Sequence, residues 1–157
     1  MQIVPLAERP EFVDQVAAWG FAEWGHLNPG QTLQSRTAGL RATMSADRIP
    51  IAFVALNNSD GIVGTASLVF DDLVLDDNTD DPRNPWLASV FVPPSQRRKG
   101  VASALIGTVE SAAQRLGHPR LYLFTTSASA LYAGLGWRAL EQRDYRSEHI
   151  QVMDKAL

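Results

Sequence analysis

Cysteine is absent from this chain. With no thiol there is no disulfide, no thiolate nucleophile and no cysteine-ligated zinc or iron–sulfur centre. Also missing is any apolar run near the roughly 20 residues that a membrane-spanning helix needs. The opening MQIVPLAERPEF carries Pro5 and two glutamates but no apolar core of a signal peptide, so the sequence reads as a cytoplasmic protein without a membrane partner. Excess positive charge is lacking too: 14 Lys and Arg face 17 Asp and Glu, for a net charge of −3. This argues against a nucleic-acid partner, which requires a basic face against phosphates, and none is expected. Internal repeats and low-complexity tracts are absent, as are the G-x-x-x-x-G-K-[ST] and G-x-G-x-x-G phosphate motifs.

What is present suits one globular domain over residues 1–157: 45% hydrophobic and 20% charged residues are enough to build a core without metal or disulfide staples. QIVPL opens as a short strand, and 10-PEFVDQVAAWGFAEWG-25 and 31-QTLQSRTAGLRATM-44 space their apolar residues as helices. IAFVAL (51–56) and IVGTASLVF (62–70) flank the turn NNSDG as a hairpin, and 76-DDNTDDPRNP-85 is a polar loop. WLASVFV (86–92) is a strand that Pro93 and Pro94 end, because neither can donate to a ladder. The helix that follows starts near Lys99 or Gly100 and stops at Gly117; with RLYLF (120–124) it completes a strand–helix–strand unit. A short helix over 127–135 and two alternating segments, 137–145 and 148–156, finish the chain. The order β-α-α-β-β-β-α-β-α-β-β predicts an α/β or α+β fold with a mixed sheet.

The most informative stretch is 92-VPPSQRRKGVASALI-106. A helix that opens directly after a strand presents unpaired amides and the positive end of its dipole, which suits an anion. Gly100 and Ala102 leave room for close approach, Ser103 adds a hydroxyl, and Arg97, Arg98 and Lys99 add charge. On spacing alone, the basic run is as readily a solvated surface.

The pattern Val92-x-Pro94-x-x-Arg97-x-x-Gly100-x-Ala102 closely resembles motif A of the GCN5-related N-acetyltransferases (GNAT), V-x-P-x-x-[QR]-x-x-G-x-[GA]. The later 131-LYAGLGW-137 is similar to that family's Y-x-x-x-G-[FW] segment. The resemblance implies a mixed, mostly antiparallel central sheet flanked by helices, and acetyl-coenzyme A as acyl donor with no metal. It further implies that the amides of Arg97, Arg98, Lys99, Gly100, Val101, Ala102 and Ser103 hold the pyrophosphate. Val90, Phe91 and Val92 would lie along the pantetheine arm, pairing with it as a further strand through Val90 and Val92, with amides around Ser89 to Phe91 near the thioester oxygen. Tyr132 matches the family's general acid, which protonates the departing thiolate. By spacing alone, Ala128, Leu131, Tyr132 and Leu135 at i, i+3, i+4 and i+7 make Tyr132 a core anchor. Thr125 stands where many members carry a pantetheine-side asparagine.

An amine of pKa about 10.4 is neutral only to about 0.04% at pH 7, so a base or water chain is expected on the acceptor side. The motif strand has no carboxylate. Asp71, Asp72, Glu23, His26 and His149 are the candidates. Six aspartates from Asp71 to Asp81 give the region negative potential that favours a cationic acceptor, or else form a solvated loop. Trp19, Phe21 and Trp24 either wall an acceptor pocket or pack in the core. The reading is an N-acetyltransferase acting directly on a primary amine of a small molecule or peptide. Its rival is a non-catalytic acyl-coenzyme A-binding module of the same fold. A homodimer is compatible with the sequence, which fixes no oligomeric state.

Overall fold

β2 (Ile51–Leu56) is buried at every position, and its alternation assigns its residues to two cores. In the computed structural model, which describes residues 1–157, Ile51, Phe53 and Ala55 join the cluster under α3 (Val101–Arg115). Ala52, Val54 and Leu56 join Leu6, Val13 and Val16 beneath α1 (Val13–Trp24) on the opposite face. A strand buried on both faces is a near-continuous apolar run, and IAFVAL is one.

Around β2 the sheet runs β1-β2-β3-β4-β5-β7-β6, with β1 Gln2–Pro5, β3 Ile62–Val69, β4 Trp86–Phe91, β5 Arg120–Thr125, β6 Arg138–Tyr145 and β7 Glu148–Ala156. All neighbours are antiparallel except β4 and β5. With α2 (Leu33–Thr43) and α4 (Ser129–Gly134), the element order is the one expected from the sequence, and the sheet is mixed and mostly antiparallel. No helix is long and apolar enough to cross a membrane.

Local chemistry explains the boundaries. The β2–β3 turn closes on Asn57, whose Oδ1 accepts from the amides of Ser59 and Gly61, both at 2.9 Å. A capping box between Thr32 and Ser35 starts α2 at Leu33, the first of its apolar residues. At the C-terminus of α3, Gly117 has φ +87° and the His118 amide reaches back 3.0 Å to the Ala113 carbonyl, a glycine-terminated stop.

Two features of the sheet make room for a site. β4 and β5 share a single register pair, Trp86 with Tyr122, and then diverge. On its other side β4 carries a bulge against β3, where Ser89 takes a left-handed φ of 55°. β3 meets the first turn of α3 closely at Gly64: a Cβ there would stand 2.9 Å from side-chain atoms of Val101 and Leu105. Only glycine lets the start of α3 sit this close to the sheet.

Candidate active site

The splay between β4 and β5 opens a cavity of about 690 Å³. One wall is Leu87 to Val92, the other Phe124 to Ala128 with Leu131 and Tyr132, and the first turn of α3 closes one end. Beyond Trp86 the β5-facing edge of β4 has no strand partner. Val90, Phe91 and Val92 all line this opening, as expected of residues that would run beside an extended ligand.

At the α3 end the chain leaves a run of backbone donors unused. The first bond of the helix is from the Ala104 amide to the Gly100 carbonyl, 3.1 Å. The amides from Arg98 to Ser103 donate to no group of the chain. Gly100 adopts φ +80° and Arg98 φ +62°, so the backbone curls and gathers these N–H groups. A Cβ added to Gly100 would meet nothing within 4 Å. The left-handed backbone is therefore what demands glycine there, and the space beside it is open to a ligand.

The basic side chains act differently from one another. Arg97 turns inward, and its Nε donates to the Val92 carbonyl at 2.9 Å, bracing the Pro93–Pro94 corner. Lys99 reaches Gln96 at 3.4 Å and does not line the cavity. Arg97, Arg98 and the residues from Gly100 to Ser103 do.

Tyr132 is 7% exposed and stands edge-on to Trp137, ring centroids 6.0 Å apart, within the main core. Its hydroxyl bonds to no other group, yet no buried side-chain oxygen or nitrogen in the protein lacks a partner, so this oxygen is reached from the cavity. The core anchor and the site residue are the same residue: the ring packs and the hydroxyl projects. Burial pushes the phenol up to about 12, which keeps it protonated at neutral pH. Thr125 also lines the cavity, but its Oγ1 accepts from the amides of Ala128, 3.0 Å, and Ser127, 3.4 Å. It caps the turn that carries α4 and so helps set the position of Tyr132.

A sequence profile described as the Acetyltransferase (GNAT) family matches residues 14–137, which include every lining residue of this cavity except Tyr145. The chain belongs to the GNAT acetyltransferase family. It is accordingly an acetyl-coenzyme A-dependent N-acetyltransferase. No curated protein matches the sequence significantly. Among solved structures, the chain is similar to an aminoglycoside 6'-N-acetyltransferase complexed with coenzyme A, at 16% identity and TM-score 0.73 over 99% of this chain and 97% of that one. It is also similar to a ribosomal-protein-alanine N-acetyltransferase from Brucella melitensis, at 16% identity and TM-score 0.73 over 100% of both chains. A spermidine/spermine N-acetyltransferase from Vibrio cholerae matches at 14% identity and TM-score 0.70, covering 99% of this chain and 93% of that one. At such identities the shared property is the fold.

On the acceptor side of this GNAT domain the candidate bases separate cleanly. His26 bonds Glu148 at 3.0 Å and His149 bonds Asp144 at 3.0 Å, both on the exposed surface and off the cavity. Glu23 reaches the cavity rim from an exposed position. Asp72 lines both this cavity and a second one beside it, and burial pushes its carboxyl up to about 8, with the Arg36 charge opposing. Half of the acidic window is committed elsewhere, Asp81 to Arg83, Asp76 to Arg143, and Asp77 to the Thr79 amide and hydroxyl, while Asp71 lines only the second cavity. Of the aromatic trio, Trp24 lines both cavities, Trp19 packs against Phe91 at 5.3 Å, and Phe21 lines neither.

Arg36 is the site residue that sequence reasoning missed. In QSRTAGL it looks like any solvent-facing arginine of a weakly amphipathic helix. The faint signal is Gly20 in the facing helix, where a Cβ would lie 2.5 Å from the Arg36 Nη2. Two helices must pack before that notch has a meaning.

Proposed function

We propose that this chain works as one N-acetyltransferase domain that passes acetyl directly to a primary amine, with Tyr132 as general acid. The observation that carries this reading is a single cavity containing both unpaired backbone donors, from Arg98 and from Gly100 to Ser103, and a protonated, otherwise unbonded phenol. Acetyl-coenzyme A brings an activated acetyl thioester and an anionic diphosphate. The amides of Arg98 to Ser103 hold the diphosphate, and Arg98 adds charge at its edge. The free edge of β4 at Val90 and Val92 aligns the pantetheine arm through main-chain bonds, and Thr125 orders the opposite wall. Amides around the Ser89 bulge face the thioester oxygen as charge develops on it.

In the reaction the nitrogen–carbon bond forms and the carbon–sulfur bond breaks. An acceptor that arrives as ammonium first loses one proton to a base on the acceptor side. The attacking nitrogen then sheds a second, while Tyr132 gives its phenolic proton to sulfur and is reprotonated. One proton is released to solvent overall. The absence of cysteine leaves no thiol for an acyl-enzyme, which supports direct transfer.

Thiol release from acetyl-coenzyme A, measured across amino acids, polyamines, aminoglycosides and peptides, tests this reading. Release above the hydrolysis rate with at least one amine is expected, and Tyr132→Phe lowers it without weakening coenzyme binding. Tight coenzyme binding with no amine-dependent release would favour the binding-module alternative.

A further inference from the structure

Next to the coenzyme cavity lies a second one of about 400 Å³, bounded by α1, α2 and the sheet. That volume suits a small molecule. The two cavities share Trp24, Arg36, Asp72, Ala88 and Ser89, so the second opens onto the β4 bulge, beside the place assigned above to the thioester. Its inner wall is apolar, with Ala17, Leu40, Met44, Ala52 and Val69.

At the junction stand one cation and one carboxylate, and the protein pairs neither. The Arg36 guanidinium is pressed into the notch at Gly20 and makes one side-chain bond, to Gln31 Oε1 at 3.1 Å. No carboxylate is close enough to form an ion pair with it. Burial lowers its pKa, and the more distant Asp72 acts against this. Asp72 in turn accepts no hydrogen bond from any group of the chain. Elsewhere half-buried arginines meet carboxylates directly, as Arg83 meets Asp81 and Arg120 meets Asp154. Both side chains are half-buried and their unbonded polar atoms open onto the cavities, where partial burial makes a ligand group of opposite charge a better partner than water. A ligand carrying both signs satisfies both.

Resting on the transferase reading above, we propose that the second cavity is the acceptor site and that the acceptor is a small amino acid with an apolar side chain. Its carboxylate lies on Arg36, its amine between Asp72 and the Ser89 bulge, and its side chain along the Leu40–Met44 wall. Asp72 then takes the first proton from the ammonium group, and its raised pKa places it close to the working range of such a base. A polycation would find two carboxylates here, since Asp71 also lines this cavity, but it carries no carboxylate of its own and so leaves Arg36 unpaired. A peptide N-terminus, which has no carboxylate beside its amine, leaves Arg36 unpaired.

The test compares L-methionine, L-methioninamide, 3-(methylthio)propylamine and spermidine as acceptors in the thiol-release assay, on the wild type and on Arg36→Gln and Arg36→Lys. L-methionine should exceed its amide at least tenfold in kcat/KM, mainly through KM. Arg36→Gln should bring that ratio close to one, and Arg36→Lys should restore part of it. An unchanged ratio in Arg36→Gln, or a wild-type preference for spermidine or the carboxylate-free amine, overturns the proposal while leaving the transferase intact. Calorimetric titration of L-methionine into the coenzyme A-bound protein supplies a readout free of turnover. Binding that weakens at least tenfold in Arg36→Gln supports the site even if no acetyl transfer is seen, an outcome that would count against the transferase reading instead. No detectable methionine binding to the wild type overturns the site.

Discussion

Two charged regions of this protein are built on opposite plans. At the β5–β7–β6 end, Asp154 is 2% exposed and is gripped by Arg120 at 2.6 Å and by Arg138 at 3.0 and 3.1 Å. Burial tends to raise its pKa, but the hydrogen bonds from Arg138 and Arg120 outweigh that and leave it lowered. At the junction of the two cavities, Asp72 and Arg36 stand unpaired, and desolvation dominates both. The first cluster ties three strands together and is complete. The second, like the Arg98–Ser103 amides and the Tyr132 hydroxyl, holds bonding capacity that the chain itself leaves free. Within one small fold, satisfied polar groups mark scaffold and unsatisfied ones mark chemistry.

That contrast is sharpest at Tyr132. Tyr132→Phe retains the ring packed on Trp137 and removes only the projecting hydroxyl, so turnover should fall about 100-fold or more, the usual contribution of a general acid. The melting temperature and coenzyme affinity should barely move; steady-state kinetics beside a thermal melt separates the two. The converse case is Asp154→Ala, which strands two arginines. A stability loss of about 2–3 kcal/mol is expected, at or below the low end for a broken buried pair because Arg138 is largely exposed. Denaturant unfolding measures it, and kcat/KM of the folded fraction should stay within about twofold. A large activity loss there would break the division between scaffold and site.

Gly100→Val tests the backbone donors. A β-branched residue is strained at φ +80°, so the first turn should re-form with its amides dispersed. Coenzyme affinity should drop about tenfold or more by calorimetry, and unchanged affinity would remove the pyrophosphate assignment.

The smallest effect is a matter of sign. Asp72 is raised from 3.8 to about 8, so the folded protein keeps a proton that the unfolded chain loses above about pH 4. Stability from this group therefore falls as pH rises from about 4 to 8 and is level beyond. Asp154, lowered in the folded state, has the opposite slope: its contribution is present above the ordinary 3.8 and is lost as pH falls through its folded value. Asp72→Asn should accordingly raise the melting temperature by a few degrees at pH 8 and leave it nearly unchanged at pH 4. The reverse pH dependence would show that Asp72 is paired after all.

How much of this was legible in the chain varies with the range of the interaction involved. The hairpin at Asn57, the stop at Gly117 and the helix opening at Gly100 are set by residues a few positions apart, and all were readable in sequence. So was the cofactor motif, because its anion site is made of consecutive amides on one turn. The candidate bases fared less well. His26, His149, Asp71 and Asp72 looked equivalent as letters, and only the packing turned the two histidines to the surface, left Asp71 exposed at the second cavity and placed Asp72 between the two. Tyr132 was ambiguous for a physical reason: helical spacing shows which face a ring occupies but not where its hydroxyl ends.

The sequence by itself determined the element order, the mixed sheet and the strand-to-helix turn at Gly100, since each follows from local propensity or a contiguous motif, and the resemblance of that motif to a known family implied the dependence on a coenzyme. Tertiary structure alone decided what surrounds the proposed acceptor side. The splay of β4 from β5, the notch that Gly20 offers Arg36, and the meeting of Asp72 and Ser89 on the walls of the same two cavities join segments far apart in the chain. Which charges find partners and which remain unpaired is a property of that packing, and no residue carries it alone.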